Sequence, residues 1–150
     1  NLLAFDEVMN INTKIPIFLS NECFKLMKKS DSGSIINICS LASRLGFPNN
    51  PSYVASKGAL AQSTKSLAID FASKNIRVNN ILPGYIKTKM TIKSYKNKKK
   101  FSLRKNRTML NKWGNPNDIL GAVIFLSSES SKYITGSDII VDGGWLSKGL

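Results

Sequence analysis

Apolar residues recur along the chain with two alternating periods. Residues 5–29 carry an apolar stripe at helical spacing, formed by Val8, Ile11, Ile15, Leu19, Phe24 and Met27. Pro16 lies inside this run and is expected to bend or break the helix, because proline has no backbone N–H and clashes with the preceding turn. Residues 52–73 repeat the pattern, with Leu60, Leu67, Ala68 and Phe71 on one face. The sequence therefore predicts two long helices.

Short β-branched segments separate and follow these helices. Residues 34–39, SIINIC, and 77–82, RVNNIL, are bounded by Gly or Pro and are typical of buried strands. A last strand is predicted over 137–141. Between the last two strands a further helix is expected to begin at Asn115 and Pro116. Helices alternating with strands at these lengths predict an α/β fold, in which a parallel sheet carries helices on its faces.

The length and composition are those of a single globular domain. The chain has 150 residues, 42% of them hydrophobic. No apolar run approaches the roughly 20 residues that span a bilayer, and the first residues, NLLAFDEVMN, lack the basic and apolar regions of a secretory signal. We therefore expect a cytoplasmic protein with no membrane segment. Cys23 and Cys39 have no metal-ligand spacing, so we expect no metal site and two reduced core thiols.

Positive charge is concentrated in one part of the chain. Residues 71–117 hold 13 of the 22 Lys and Arg residues and none of the nine acidic ones, and the net charge is +13. Within them, residues 93–107, KSYKNKKKFSLRKNR, are nearly a polycation and could hold a phosphate-rich partner. Nucleic-acid binding is not favoured, because the segment has no interleaved stacking aromatics, zinc-ligand spacing or helix-turn-helix signature. A solvated, mobile loop is the favoured interpretation.

One Tyr and Lys pair stands in a context that suggests chemistry. Tyr53 and Lys57 are four residues apart at the start of the second predicted helix, so their side chains share a face. The same spacing occurs in two further pairs, Tyr85 with Lys89 and Tyr95 with Lys99. Only Tyr53 has a serine, Ser40, 13 residues upstream at the end of a predicted buried strand. The other two pairs are therefore interpreted as decoys.

A series of collinear motifs surrounds this pair. They are MNIN at 9–12, NICS at 37–40, SYVASKGAL at 52–60, RVNNILPGYIKT at 77–88, WGNPNDI at 113–119 and YITGSDIIVDGG at 133–144. Together they resemble the short-chain dehydrogenase/reductase family, including its 3-oxoacyl-acyl-carrier-protein reductases and its sugar and polyol dehydrogenases. The resemblance implies a Rossmann-like, doubly wound parallel sheet. It also implies an NAD(P)-dependent oxidoreductase that transfers hydride between nicotinamide and a carbonyl or secondary alcohol.

The resemblance assigns catalytic roles to four residues. Tyr53 would exchange a proton with the substrate oxygen, and the positive charge of Lys57 would stabilise its phenolate form. Ser40 would donate a hydrogen bond to the same oxygen as charge develops there. In the family, the matching lysine also binds the nicotinamide ribose. In the family, the backbone of the residue that matches Asn12 holds a water molecule, and that water is linked to the same lysine.

The resemblance also implies a cofactor contact and a substrate lid. Besides Tyr53 and Lys57, it places four residues beside the nicotinamide, namely Pro83, Gly84, Ile86 and Thr88. Gly84 is expected to let the backbone approach a flat ligand closely. Residues 89–112 fall where the family has its lid, and their charge would favour an anionic substrate. Neutralising the three adjacent lysines, Lys98, Lys99 and Lys100, is then expected to weaken binding of an anionic substrate more than of a neutral one.

The family's opening segment has no counterpart in these 150 residues. It consists of a strand and a glycine-rich turn into a helix, where backbone N–H groups hold the cofactor pyrophosphate. Residues 1–150 are therefore expected to be the C-terminal part of a single Rossmann-like domain, an incomplete sheet without its N-terminal strands. We expect this polypeptide to bind NAD or NADP weakly and to be impaired as an enzyme.

Two functions and one mode of assembly follow from these observations. The favoured function is the oxidoreductase, because Ser40, Tyr53 and Lys57 keep the spacing that catalysis requires. The alternative is a non-catalytic basic module that holds a polyanion through residues 93–107. The helices over 5–29 and 52–73 match those that pair subunits in the family. They therefore predict a homodimer or homotetramer.

Overall fold

The sheet is parallel and three-stranded in the part of the chain that the computed structural model describes, residues 2–30 and 32–148. Its strands are β1 (Gly33–Ile38), β2 (Ile76–Pro83) and β3 (Asp138–Val141), in that spatial order. Ile35 lies opposite Val78 in the first pair, and Ile81 lies opposite Ile139 in the second. Each strand agrees with its predicted bounds to within one residue, and the predicted α/β class is confirmed.

Helices precede, connect and flank the strands. In chain order they are α1 (Leu2–Met9), α2 (Ile15–Met27), α3 (Pro51–Phe71), α4 (Ile92–Lys96), α5 (Lys98–Arg107) and α6 (Asn117–Ser127). Helix α6 begins one residue later than the predicted first position, Pro116, and the Asp118 carboxylate accepts a hydrogen bond from the Asn115 N–H at 2.7 Å. None of the helices within these described ranges combines the length and hydropathy needed to cross a bilayer.

Successive residues of each strand face opposite layers of helices. On one face, Ile35 and Val78 pack with Phe71 of α3 and Phe24 of α2, whose rings stack at 4.2 Å. On the other face, the preceding residue of each strand, Ser34 or Arg77, donates a hydrogen bond to the Leu126 carbonyl of α6. The sheet is therefore covered on both faces.

A buried polar network fixes β2 between its neighbours. The fully buried Asn80 donates to the Ala61 carbonyl of α3 and, at 2.8 Å, to the Asp138 carboxylate of β3. Its side-chain oxygen accepts from the Thr64 hydroxyl at 2.7 Å and from the Cys39 thiol at 3.2 Å. Arg44 completes the network by pairing with Asp138 at 2.8 Å. These bonds tie α3 and both outer strands to the centre of the sheet.

The first predicted helix is interrupted before its proline. A π-helical turn, Asn10–Lys14, separates α1 from α2, and Pro16 lies in the first turn of α2. Because Pro16 has no N–H, the carbonyl of Asn12 cannot accept the hydrogen bond that a regular α-helix would give it. The expected break is therefore real and falls at Asn12, one turn before the proline.

Two expectations from composition are wrong. The basic segment is not a loop, because residues 92–107 form α4 and α5, and Phe101 packs edge-on against Tyr95 with ring centroids 5.1 Å apart. The thiol of Cys23 is not in the core. Cys23 lies on the exposed side of α2, whereas Cys39 is 4% exposed, and both are free thiols.

Candidate active site

The residues predicted to carry chemistry border one open cleft at the carboxyl ends of β1 and β2. The cleft has a volume of about 470 Å³. All eight predicted site residues line it, namely Asn12, Ser40, Tyr53, Lys57, Pro83, Gly84, Ile86 and Thr88. Ligands of open α/β sheets bind at this edge, where loops leave the strand ends. The structure thus brings together residues that lie up to 76 positions apart in the chain.

Ser40 leaves β1 in an extended conformation and caps the short turn Leu41–Ser43. Its hydroxyl oxygen accepts a hydrogen bond from the Ala42 N–H at 3.1 Å. A serine hydroxyl has one proton as well as two lone pairs, so this bond leaves the O–H available to donate. The backbone therefore fixes the oxygen while the proton can serve a ligand in the cleft.

Tyr53 and Lys57 lie on the first two turns of α3, which begins at Pro51. The Lys57 ammonium donates to the Ile38 carbonyl of β1 at 2.8 Å and lies 6.0 Å from the centroid of the Tyr53 ring. The Ser43 hydroxyl donates to the Lys57 carbonyl at 2.9 Å, which joins the same helix to the turn after Ser40. Lys57 is therefore held between the tyrosine and the end of β1.

Burial sets the charge states beside this lysine. It lowers the pKa of Lys57, and interaction with Cys39 offsets part of that effect. Burial also raises the pKa of the Cys39 thiol to about 11, against the opposing influence of the Lys57 charge. Cys39 is consequently a neutral thiol at pH 7. It donates to Asn80 and is not a nucleophile in the manner of catalytic cysteines.

Asn12 reaches the cleft from the π-helical turn. Its side-chain amide donates to the Ser56 hydroxyl at 3.3 Å, and the neighbouring Thr13 donates to the Ser56 carbonyl at 2.9 Å. Ser56 in turn donates to the Tyr53 carbonyl at 2.8 Å and is fully buried. Sequence reasoning missed Thr13 and Ser56. The sequence held one indication of them, because Thr13 directly follows Asn12 and Ser56 directly precedes Lys57.

The loop after β2 forms the opposite wall. The Gly84 N–H donates to the Val141 carbonyl, and a Cβ at Gly84 would come within 2.7 Å of Asp142. The close approach that requires glycine is therefore to the backbone after β3, whereas the sequence suggested approach to a ligand. Thr91, which sequence reasoning also missed, accepts from the Thr88 N–H at 2.9 Å and donates to the Ile86 carbonyl.

An apolar side of the cleft was not predicted. It consists of Met90, Pro116, Ile119 and Leu120, from the start of the lid and the first turns of α6. Two of these residues, Pro116 and Ile119, belong to the motif WGNPNDI, so the sequence contained part of this wall. The decoy pairs are elsewhere, since Tyr95 packs against Trp113 at 5.3 Å and neither Tyr95 nor Lys99 lines the cleft. The arrangement thus offers a hydroxyl donor, a phenol and an ammonium around one space beside an apolar wall.

Comparison with known proteins identifies the family. The family model described as enoyl-(acyl carrier protein) reductase matches residues 1–146. The chain is 41% identical over 143 residues to 2-dehydro-3-deoxy-D-gluconate 5-dehydrogenase of Formosa agariphila, covering 95% of this chain and 54% of that protein. It is also 41% identical over 142 residues to a 3-oxoacyl-[acyl-carrier-protein] reductase of Rickettsia felis, covering 95% of this chain and 58% of that one. The chain thus spans little more than half the length of these relatives.

A solved structure shares the fold. The gluconate 5-dehydrogenase of Burkholderia cenocepacia, in complex with NADP and tartrate, superposes with a TM-score of 0.96 at 30% identity. The match covers 99% of this chain and 58% of that one, which fits the prediction of an incomplete, Rossmann-like doubly wound sheet. Sequence and structure agree with the motifs around Ser40 and Tyr53, and the chain belongs to the short-chain dehydrogenase/reductase family.

Proposed function

We propose that the protein is an NAD(P)-dependent oxidoreductase, which transfers hydride between nicotinamide and a carbonyl or secondary alcohol. The observation that carries this proposal is the convergence of Ser40, Tyr53 and Lys57 on one cleft. A non-catalytic basic module would have no physical need for that convergence. The relatives named as dehydrogenases and reductases support the same reaction class.

The proposed chemistry divides between the cofactor and the chain. The nicotinamide cofactor, when bound, supplies or accepts the hydride at the substrate carbon. In the reducing direction Tyr53 gives its phenolic proton to the substrate oxygen, while the Ser40 O–H stabilises the developing negative charge. The Lys57 ammonium stabilises the resulting phenolate until a proton returns from solvent. Asn12 would hold the water through which that proton arrives.

The cofactor's nicotinamide end fits the residues present. Pro83, Gly84, Ile86 and Thr88, from the end of β2 and the loop after it, line the same cleft as Lys57. These residues, with Tyr53 and Lys57, would hold the nicotinamide and its ribose, as NAD or NADP. Residues 1–150 would form the later part of one dinucleotide-binding domain. Because they contain no glycine-rich phosphate turn, we expect titration to give affinity weaker than micromolar for this polypeptide.

The substrate is proposed to be of the sugar, polyol or 3-oxoacyl thioester type. Support comes from the names of the two relatives, one a deoxygluconate dehydrogenase and the other an acyl-carrier-protein reductase. Met90, Ile119 and Leu120 add an apolar wall that suits a carbon chain on one side of the reacting carbonyl.

Assembly into a homodimer or homotetramer is also proposed. Helices α1 and α2 expose large apolar side chains, among them Leu3 at 79%, Phe18 at 62% and Leu26 at 70%. Ile69 of α3 is 78% exposed. Exposed apolar patches of this kind mark protein interfaces. Sedimentation of the 150-residue chain tests this, and a concentration-independent monomer would contradict it. A cytoplasmic location stays a prediction.

Isotope transfer tests the reaction class. The chain is incubated with a candidate ketone and excess reduced cofactor deuterated at the transferring position of the nicotinamide. We expect deuterium on the new alcohol carbon of the product, detected by mass spectrometry. Products without deuterium, or no product from any sugar-acid or 3-oxoacyl ketone at millimolar cofactor, would contradict the proposal.

A further inference from the structure

A second cavity is bordered by two of the chain segments that border the cleft and has two arginines in its wall. It measures about 500 Å³, and its principal lining residues are Phe47, Asn50, Tyr85, Arg104, Arg107 and Trp145. We call it the arginine pocket. Asn50 directly precedes α3, which carries Tyr53, and Tyr85 lies between Gly84 and Ile86 of the cleft. The same two segments therefore border both cavities.

Aromatic rings orient both guanidinium groups. Arg104 lies 4.5 Å from the centroid of the Tyr85 ring, and Arg107 lies 4.4 Å from that of Trp145. The two arginines are three residues apart on α5, so they project from one face of the helix. Stacking on rings restricts a guanidinium plane while leaving its edge N–H groups able to donate. The pocket thus presents two oriented cations.

Several donors in the pocket wall have no acceptor. Within residues 2–30 and 32–148, the buried Arg104 Nη1 and the buried Trp145 Nε1 make no hydrogen bond. Neither arginine forms an ion pair with a described carboxylate. Both atoms are enclosed by protein, so what the cavity offers a ligand is the positive charge of the two guanidinium groups in its wall. A carboxylate suits them, because it can accept two parallel bonds from one guanidinium.

We propose that the arginine pocket binds the carboxylate of a short hydroxy or oxo acid whose reacting carbon lies in the cleft beside Tyr53. The proposal rests on the oxidoreductase function and specifies its substrate class as sugar acids. A neutral polyol would leave both guanidinium charges without a counter-charge, so the pocket favours a carboxylate over it. The adjacent lysines, Lys98 to Lys100, are exposed and do not line the pocket.

Binding without cofactor tests the pocket directly. Each of the two tryptophans of the chain lies beside a pocket arginine: Arg104 is 5.9 Å from the centroid of the Trp113 ring, and Arg107 is 4.4 Å from that of Trp145. Their fluorescence should therefore report occupancy of the pocket. The probes are tartrate and threitol, which differ in having carboxylates or neutral alcohols at their ends. We expect saturable quenching by tartrate that weakens with ionic strength, and none by threitol.

Variants then locate the site. Arg104→Gln and Arg107→Gln should each weaken tartrate binding by about ten- to a hundredfold, the usual range for a charge-assisted hydrogen bond. Arg104→Lys should be intermediate, because an ammonium lacks the planar fork. Lys65→Gln, at an exposed lysine of α3 that lines neither the cleft nor the pocket, is the control and should change affinity by less than about threefold. Arg107 is exposed, so its variant is informative even if Arg104→Gln folds poorly.

The outcomes separate this proposal from the function on which it rests. Equal quenching by tartrate and threitol, or equal losses in the lysine and arginine variants, would overturn the arginine pocket. Arginine-dependent tartrate binding in a chain that transfers no deuterium would retain the pocket and reject the oxidoreductase. Equal deuterium transfer to neutral and acidic ketones, with no effect of Arg107→Gln, would retain the oxidoreductase and reject the arginine pocket.

Discussion

Two regions of the molecule are held together by different forces, namely the proposed catalytic face, around Ser40, Tyr53 and Lys57, and the proposed lid, residues 89–112. At the catalytic face, the Ser40 hydroxyl accepts from the Ala42 N–H, the Lys57 ammonium donates to the Ile38 carbonyl, and the Tyr53 carbonyl accepts from the Ser56 hydroxyl. In the lid, α5 is held by rings, as Trp113 stacks on Phe101 at 6.0 Å and Arg104 lies over Tyr85. Hydrogen bonds fix the positions of individual donor and acceptor atoms, whereas ring stacking fixes the orientation of a plane. We therefore expect chemistry at the first and selectivity at the second.

Replacing Lys57 should have the largest effect and should separate catalysis from folding. Lys57→Met removes the charge that stabilises the phenolate, so turnover should fall by about a hundredfold or more. Folding should survive, since burial lowers the pKa of Lys57 and so disfavours its charged form in the native state. Lys65→Met, on the exposed side of α3, is the control for both measurements. Equal turnover in the two variants would argue against a role for Lys57.

An alanine substitution at Asn80 tests how strongly the buried polar network stabilises the sheet. Asn80→Ala removes one buried hydrogen bond each from Thr64, Asp138 and the Ala61 carbonyl, so the free energy of unfolding should fall by about 3 kcal/mol. Urea unfolding followed by circular dichroism measures this. A loss below about 1 kcal/mol would mean that the network does not organise the sheet.

The two cysteines should report the electrostatics of the catalytic face. Burial raises the pKa of Cys39 from 9.0 to about 11, which reduces its thiolate fraction at neutral pH about a hundredfold. Cys23 is exposed and should be alkylated first by iodoacetamide. Because the thiolate is the reactive form, labelling of Cys39 should keep rising with pH until about 11. Labelling is compared in Cys23→Ser and Cys39→Ser, and equal rates at neutral pH would contradict the assignment.

The smallest effect is expected at the lid. Asn97 caps α5 by accepting a hydrogen bond from the Lys100 N–H at 3.0 Å. Asn97→Ala should cost about 1 kcal/mol, confined to α5 because the cap touches no strand. Hydrogen exchange should therefore quicken in residues 98–107 and not in β2. Faster exchange across the sheet would show that lid and sheet unfold as one unit.

The sequence identified the catalytic face because its signals are local. The helical spacing of Tyr53 and Lys57, and the strand that ends at Ser40, follow from periods of 3.6 and 2. The lid was misinterpreted because lysine-rich composition hid the helix of α5. What orders that segment is contact with Trp113 and Tyr85, which lie outside it. Likewise, Ser56 was marked only by its position beside Lys57, and nothing local marked Thr91 as the residue that positions the loop after β2.

The central claim is that Tyr53 is the proton donor of a single converged site. Its most direct test is hydride transfer to a ketone at millimolar cofactor, followed by the absorbance of reduced nicotinamide. Tyr53→Phe should lower the rate by about 10²- to 10⁴-fold, the contribution of one proton-transfer group. Tyr95→Phe keeps its ring contacts with Phe101 and Trp113 and should leave the rate unchanged. A Tyr53→Phe variant as active as the wild type would contradict the account.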